Sequence, residues 1–133
     1  MAAGETDDPN AVMESFEAEA AITKGAPVYL SSDGKISESP GGDEAIGIAV
    51  KDTALGNPCP VLTRGRVKVV ANGAITRGKA VCSAAGRKVT QFVDQAVNEG
   101  GSATYTIYYN RKLGTALQTT VADGDLLFIN VEK

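Results

Sequence analysis

The chain has 133 residues, of which 43% are hydrophobic and only 5% aromatic, with no Trp and no His. This length allows one hydrophobic core, and a core poor in aromatic residues must use small and β-branched side chains, which favour strands. The lack of His excludes Ser-His-Asp and Cys-His catalysis and most catalytic zinc and iron sites. A net charge of −3 argues against a general nucleic-acid binder, because such proteins carry a basic surface.

The first 14 residues are acidic and contain Gly and Pro but no Lys or Arg. They lack the basic and apolar blocks of a signal peptide, and no apolar run reaches membrane-spanning length. We therefore expect a protein made in the cytoplasm, with neither a membrane nor nucleic acid as a partner. A flexible acidic arm is predicted at residues 1–14, before a single β domain at residues 15–133. The acids of the arm lack the spacing of a calcium loop, and no metal is expected.

Strands are predicted where apolar and polar residues alternate, and turns where Gly lies between two such runs. Apolar residues alternate with Ser and Glu in the run 15–22, which is typical of a half-buried strand. Asp33-Gly34 lies between two apolar-containing runs, which is a hairpin signal because Gly accepts positive φ. Gly86 and Gly124 mark further turns of this kind.

A basic stripe is predicted in the run VLTRGRVKV. Arg64, Arg66 and Lys68 fall on one face of a strand there, and Val67 and Val69 fall on the other. Such a stripe is either a docking surface for an acidic partner or an ordinary solvated face, which is what charge runs usually are. The aligned segment of the second half, FINVEK, has no such stripe.

The most informative feature is an internal repeat, in which AAITKGAPV at residues 20–28 returns as GAITRGKAV at residues 73–81. Read alone, GAITRGKA resembles a phosphate-binding loop, which requires Ser or Thr after the Lys and a helix after that. Position 80 is Ala, however, and a hairpin signal follows. The shared Gly25 and Gly78 therefore predict a structural turn. We expect two related halves, at about residues 15–70 and 71–133.

An insertion over residues 93–111 interrupts the second half. The run ATYTIYYNRK is strand-like and holds three of the four tyrosines. Tyr is enriched at protein interfaces, so Tyr105, Tyr108 and Tyr109 are candidate contacts between subunits. The preceding run, residues 92–98, is compatible with a short helix.

The order of these elements resembles a family of viral proteins. The run AAITKGAPVYLSSDGKI is followed by an acidic Gly loop, SESPGGDE, then by AIGIAV and the basic segment GRVKV. This order is similar to that of the capsid decoration, or cement, proteins of tailed phages, and more loosely to the lambda-type decoration protein. The resemblance covers about residues 15–131 and is carried by strand and turn residues. The close repeat and the Tyr-rich insertion depart from the lambda type, so its trimer contacts are not transferred.

The resemblance implies an all-β subunit, a small β-barrel or β-sandwich of β-tulip type built from two repeated units. It implies a homotrimer that binds the major capsid protein on the outside of the virion and stabilises the shell, with no enzymatic activity and no cofactor. The candidate capsid-binding residues come from the arm, the strand that follows it and the stripe: Asp7, Asp8, Glu14, Phe16, Arg64, Arg66 and Lys68.

Two other classes of function remain open. A carbohydrate- or small-ligand-binding β-barrel module of a virion fibre would use the tyrosine cluster. A nucleotide-utilising enzyme would depend on Gly78 and Lys79.

Overall fold

The computed structural model describes residues 2–41, 44–92 and 112–132, and the backbone of residues 95–99 and 102–106. These ranges contain strands but no helix, and so none that is long and apolar enough to cross a membrane. The prediction of an all-β fold is confirmed. The strands are β1 Val12–Ala18, β2 Pro27–Ser32, β3 Lys35–Glu38, β4 Gly47–Ala49, β5 Pro58–Val70, β6 Ala80–Ala84, β7 Lys88–Gln91, β8 Gln95–Glu99, β9 Ser102–Thr106, β10 Gly114–Ala116 and β11 Leu126–Glu132.

Five strands close into a first ring. Their order is β1-β3-β2-β4-β5, and β1 also pairs antiparallel with the first half of β5, from Glu17 opposite Pro58 to Val12 opposite Arg64. The pairing of β1 with β3 is parallel, and the other neighbours are antiparallel. The first ring therefore lies within residues 12–70.

The second half of β5 begins a second ring. It pairs antiparallel with β11, from Gly65 opposite Val131 to Val70 opposite Leu126, and the order continues β11-β10-β6-β7. At the end of β5, Ala71 forms a parallel bridge with β7. The 13-residue strand β5 is thus common to both rings.

Each ring encloses buried apolar side chains. One cluster lies in the first ring, with Phe16 packed against it and half-buried. A larger cluster lies mainly in the second ring and extends to Ile48 of β4 and Leu62 of β5, which belong to strands of the first ring. Neither cluster contains a fully buried aromatic residue, in agreement with a core of small and β-branched side chains. The first cluster consists of Ala18, Ile22, Val28, Ile36, Ala49, Cys59 and Val61.

The turns at Gly25 and Gly78 are held by matching hydrogen bonds. The Gly25 N–H donates to the Ala49 carbonyl and the Gly78 N–H to the Ala116 carbonyl, both at 2.7 Å. Both glycines have positive φ, 92° and 84°, which an L side chain rarely adopts. A strand, β6, follows Gly78, where a phosphate-binding loop needs a helix. The repetition of the two whole halves stays a prediction.

The other glycines assigned to turns also lie in positive-φ conformations. The values are 69° at Gly34, 78° at Gly86 and 93° at Gly124. Gly34 connects β2 to β3, and Gly86 connects β6 to β7. Each therefore reverses the chain at a position where a Cβ would be strained.

Part of the insertion forms a separate two-stranded sheet. Strands β8 and β9 pair antiparallel, from Gln95 opposite Thr106 to Glu99 opposite Ser102. The prediction of a short helix over residues 92–98 is wrong, because residues from 95 onward pair with the following strand instead. Tyr105 belongs to β9, whereas Tyr108 and Tyr109 lie outside the described residues.

Candidate interaction surface

The predicted basic stripe occupies the outer face of β5. Successive side chains of a strand point to opposite faces. Val67 and Val69 accordingly point into the second ring and are buried, whereas Arg66 and Lys68 are half-buried on the outside. Arg64, where β5 passes from one ring to the other, is exposed. The stripe therefore follows the part of β5 that belongs to the second ring.

An aromatic side chain lies beside the stripe. Phe128 of β11 is directly opposite Lys68 in the register, and the Lys68 Nζ lies 4.4 Å from the centroid of its ring. The Arg66 guanidinium carbon lies 5.9 Å from the same centroid. Both distances are within the range of cation–π attraction. The sequence interpretation missed Phe128 because it considered FINVEK only for charge, although pairing between the two halves would have placed it there.

The N-terminal segment, residues 2–11, runs along the edge of β5 that β11 leaves uncovered. The Gly4 N–H donates to the Lys68 carbonyl at 2.7 Å, and the Lys68 N–H donates to the Glu5 carbonyl at 2.9 Å. The Thr6 hydroxyl donates to the Arg66 carbonyl. Two groups of candidate residues from the sequence, those of the N-terminal segment and those of the stripe, thus contact each other within the chain.

The acids of this segment bind the stripe. The Asp7 carboxylate accepts from the Arg66 Nε at 2.8 Å. The Asp8 carboxylate accepts from the backbone N–H groups of Asn10 at 2.9 Å and Arg66 at 3.2 Å, and these bonds hold the pKa of Asp8 below its usual value. Both the side chain and the backbone N–H of Arg66 are therefore bonded to carboxylates of the same chain.

Glu5 anchors the same segment to the first ring. Its carboxylate accepts from the Ala2 N–H at 3.2 Å and pairs with the Lys24 Nζ at 3.4 Å. These two contacts lower the pKa of Glu5, the backbone bond from Ala2 being the larger cause. The segment consequently touches both rings.

Glu14 and Phe16 belong to a different part of the surface. Both lie in β1, where Glu14 is exposed opposite Val61 and Phe16 is half-buried opposite Cys59. β1 begins at Val12, which is inside the segment expected to be an arm. The mobility of residues 1–14 stays a prediction.

Unneutralised charge remains at two positions of the stripe. Within the described ranges, no carboxylate lies at ion-pair distance from Arg64 or Lys68. The Lys68 Nζ donates a hydrogen bond to the Gln118 side-chain oxygen at 3.5 Å. Leu117 and Leu126 lie on the same side of the second ring as Phe128 and are 43% and 44% exposed. Such a surface can bind carboxylates beside apolar groups. The described residues contain no cluster of three acids or thiols that could hold a metal.

Comparison with known proteins identifies a family and similar solved structures. The phage cement protein family matches residues 10–132. The fold is similar to that of the head fiber gp8.5 N base of bacteriophage phi29, with a TM-score of 0.59 over 91% of this chain and 93% of that one. The two sequences are 14% identical, so this likeness is one of fold. No curated protein sequence matches the chain.

Proposed function

Because the chain belongs to the phage cement protein family, and is thus a capsid-associated structural protein of a bacteriophage, we propose that it binds the outer surface of the assembled capsid as a homotrimer and stabilises the shell. The observation that carries this proposal is the family match, which spans both rings and so includes the strand β5 that they share. The protein acts in this role without catalysis, and the major capsid protein is its partner.

A trimer suits such a role for physical reasons. A cyclic trimer uses one heterologous contact three times. Three equal contacts held in one particle bind a shell far more tightly than a single contact does, because the second and third binding events are intramolecular. We assign the contact between subunits to the tyrosine cluster of the insertion, Tyr105, Tyr108 and Tyr109.

The capsid contact is proposed at the stripe, and the geometry refines the set of residues. Arg64 and Lys68 carry charge that no described carboxylate neutralises, so they are available to an acidic shell surface. Asp7 and Asp8 are instead ligands of Arg66 within the chain, and their role is to hold the N-terminal segment beside the stripe. Exposed Glu14 and half-buried Phe16 remain proposed contacts of β1.

Co-sedimentation with expanded, undecorated capsids tests the proposal. We expect the protein to elute as a trimer, to pellet with shells at micromolar concentration and to raise the temperature at which the shells disrupt. A monomer that leaves shells unbound would contradict it.

Matched charge reversals test the stripe in the same assay. Lys68→Glu is expected to weaken shell binding roughly tenfold, since a charge-assisted contact contributes about 1.5 kcal/mol. Lys51→Glu makes the same change of net charge at an exposed residue away from the stripe and should bind as the unaltered protein does. Equal loss in both variants would mean that overall charge, and not the stripe, controls binding.

A further inference from the structure

One stretch of backbone in the first ring is left without a neighbouring strand. In β1, the Ala18 N–H donates to the Asn57 carbonyl at the start of β5, whereas the Glu19 N–H just beyond the strand donates to the Ile36 carbonyl of β3. Alternate residues of a strand direct their N–H and C=O groups to opposite sides. Even-numbered residues of β1 therefore face β5, and odd-numbered residues face β3.

Strand β3 covers only the end of β1. Their register pairs Glu17 with Lys35 and Ala18 with Ile36, and it extends no further toward the start of β1. The outward N–H and C=O groups of Met13 and Ser15 consequently have no hydrogen-bond partner in the described part of the chain. Met13 is 47% exposed and Ser15 is exposed as well, so solvent reaches this stretch of β1.

The second ring has an equivalent edge. The Asn72 N–H donates to the Val89 carbonyl at 2.7 Å, just as the Glu19 N–H donates to the Ile36 carbonyl at 2.8 Å. Both bonds follow a parallel bridge at the preceding residue. The second half of β5 therefore takes the place in its ring that β1 takes in the first.

This equivalent edge is covered. Counting back from those two bonds, Ser15 corresponds to Lys68 and Met13 to Arg66. The N–H and C=O groups of Lys68 and Arg66 are bonded to residues 4–8, which form an extended segment along the strand. Equivalent backbone groups are thus hydrogen-bonded in the second ring and left without a described partner in the first.

We propose that the edge at Met13–Ser15 takes up an extended segment of the major capsid protein as an added strand. Unpaired strand edges are templates for such pairing, in which main-chain hydrogen bonds supply the affinity. The neighbouring exposed side chains are apolar at Val12 and Met13 and acidic at Glu14, whereas Glu17 is already paired with Lys35 at 3.7 Å. The segment that fits carries an apolar residue next to a basic one. The identity of the partner rests on the proposed function, whereas the open edge does not.

Amide hydrogen exchange at single-residue resolution tests this directly. In the free protein, the Met13 and Ser15 amides are expected to exchange fast and the Glu14 and Phe16 amides, which face β5, slowly. On expanded shells, the Met13 and Ser15 amides are expected to slow by roughly tenfold or more, while Glu14 and Phe16 serve as the internal control.

The outcomes separate the two proposals. Binding to shells without new protection at Met13 and Ser15 overturns the strand addition and leaves the proposed function intact. Failure to bind shells overturns the proposed function and the partner named here. Protection of both amides in the free oligomer assigns the edge to a second copy of the chain and also overturns the proposal.

A pair of variants gives a second readout. Ser15→Pro removes the outward N–H, at an edge position where Pro is tolerated, and Ser15→Ala removes only the hydroxyl. With folding verified by thermal unfolding, the Pro variant is expected to bind shells several-fold more weakly, and the Ala variant to be unchanged. Equal binding by the two variants contradicts strand addition at this edge.

Discussion

Asp7 and Arg66, which are 59 residues apart in the sequence, form an ion pair of 2.8 Å that ties the N-terminal segment to the strand common to both rings. Their side chains are 48% and 42% exposed. Water and salt screen such a pair, so the direct contribution of the contact to stability is small. The hydrogen bonds of Gly4 and Glu5 with Lys68 are the firmer part of this attachment.

A double-mutant cycle measures that ion pair. Asp7→Ala, Arg66→Ala and the double variant are expected to give a coupling free energy below about 1 kcal/mol in urea unfolding. Glu17 and Lys35, a pair of similar exposure at 3.7 Å, provide the matched control cycle. A coupling above about 2 kcal/mol would show that the contact is far better shielded from water than its exposure indicates.

The attachment of the N-terminal segment should also depend on pH. The pKa of Asp8 is lowered in the folded chain from an ordinary value of 3.8, mainly by the backbone bonds from Asn10 and Arg66. A lowered pKa means that the stabilisation is present above pH 3.8 and is lost as the pH falls through the folded value. We expect the Arg66 amide resonance to shift with a midpoint below 3.8 in an NMR titration. In Asp8→Asn this transition should be absent, and its persistence would assign the shift to another acid.

Two glycines in strands should be intolerant of a side chain for the same reason. A Cβ on Gly47 of β4 would overlap the Leu62 carbonyl oxygen, and one on Gly114 of β10 would overlap that of Asn130. Gly47→Ala and Gly114→Ala are each expected to lower the free energy of unfolding by about 2 kcal/mol. Gly124 has open space around it and a φ of 93°, so Gly124→Ala should cost only about 1 kcal/mol. Unequal losses at Gly47 and Gly114 would count against equivalent roles in the two rings.

Arg87 is the residue other than Gly that has positive φ among those described, at 63° in the turn from β6 to β7. Its Nε donates to the Glu38 carboxylate at 2.9 Å, a contact that both Ala and Gly remove. Arg87→Gly is therefore expected to be more stable than Arg87→Ala by about 1 kcal/mol in thermal or urea unfolding. At the neighbouring strand position the order should be reversed, with Lys88→Gly less stable than Lys88→Ala. The same order at both positions would argue against backbone strain at Arg87.

Local patterns predicted the local structure well. The alternation in VLTRGRVKV gave the correct faces for Arg66 and Lys68, because the two-residue period of a strand can be read from the strand's own sequence. Gly25 and Gly78 marked turns because positive φ excludes most other residues. The all-β class followed from the β-branched residues, the strand-like alternation and the turn signals, together with the resemblance to the decoration proteins.

Contacts between distant parts of the chain could not be predicted from such local patterns. Nothing near Asp7 in the sequence indicates that its partner is Arg66, since that pairing depends on how β5 is placed beside the N-terminal segment. Phe128 was missed for the same reason. Val12 and Met13 lie in β1 although their side chains are exposed, because backbone pairing with β5, and not burial, makes this stretch a strand.

The common strand β5 has a mechanical consequence. Its 13 residues extend over roughly 40 Å without interruption and form a wall of each ring. Tension applied to one ring is therefore transmitted to the other through covalent backbone bonds, and it need not pass across a packed interface that could slide open.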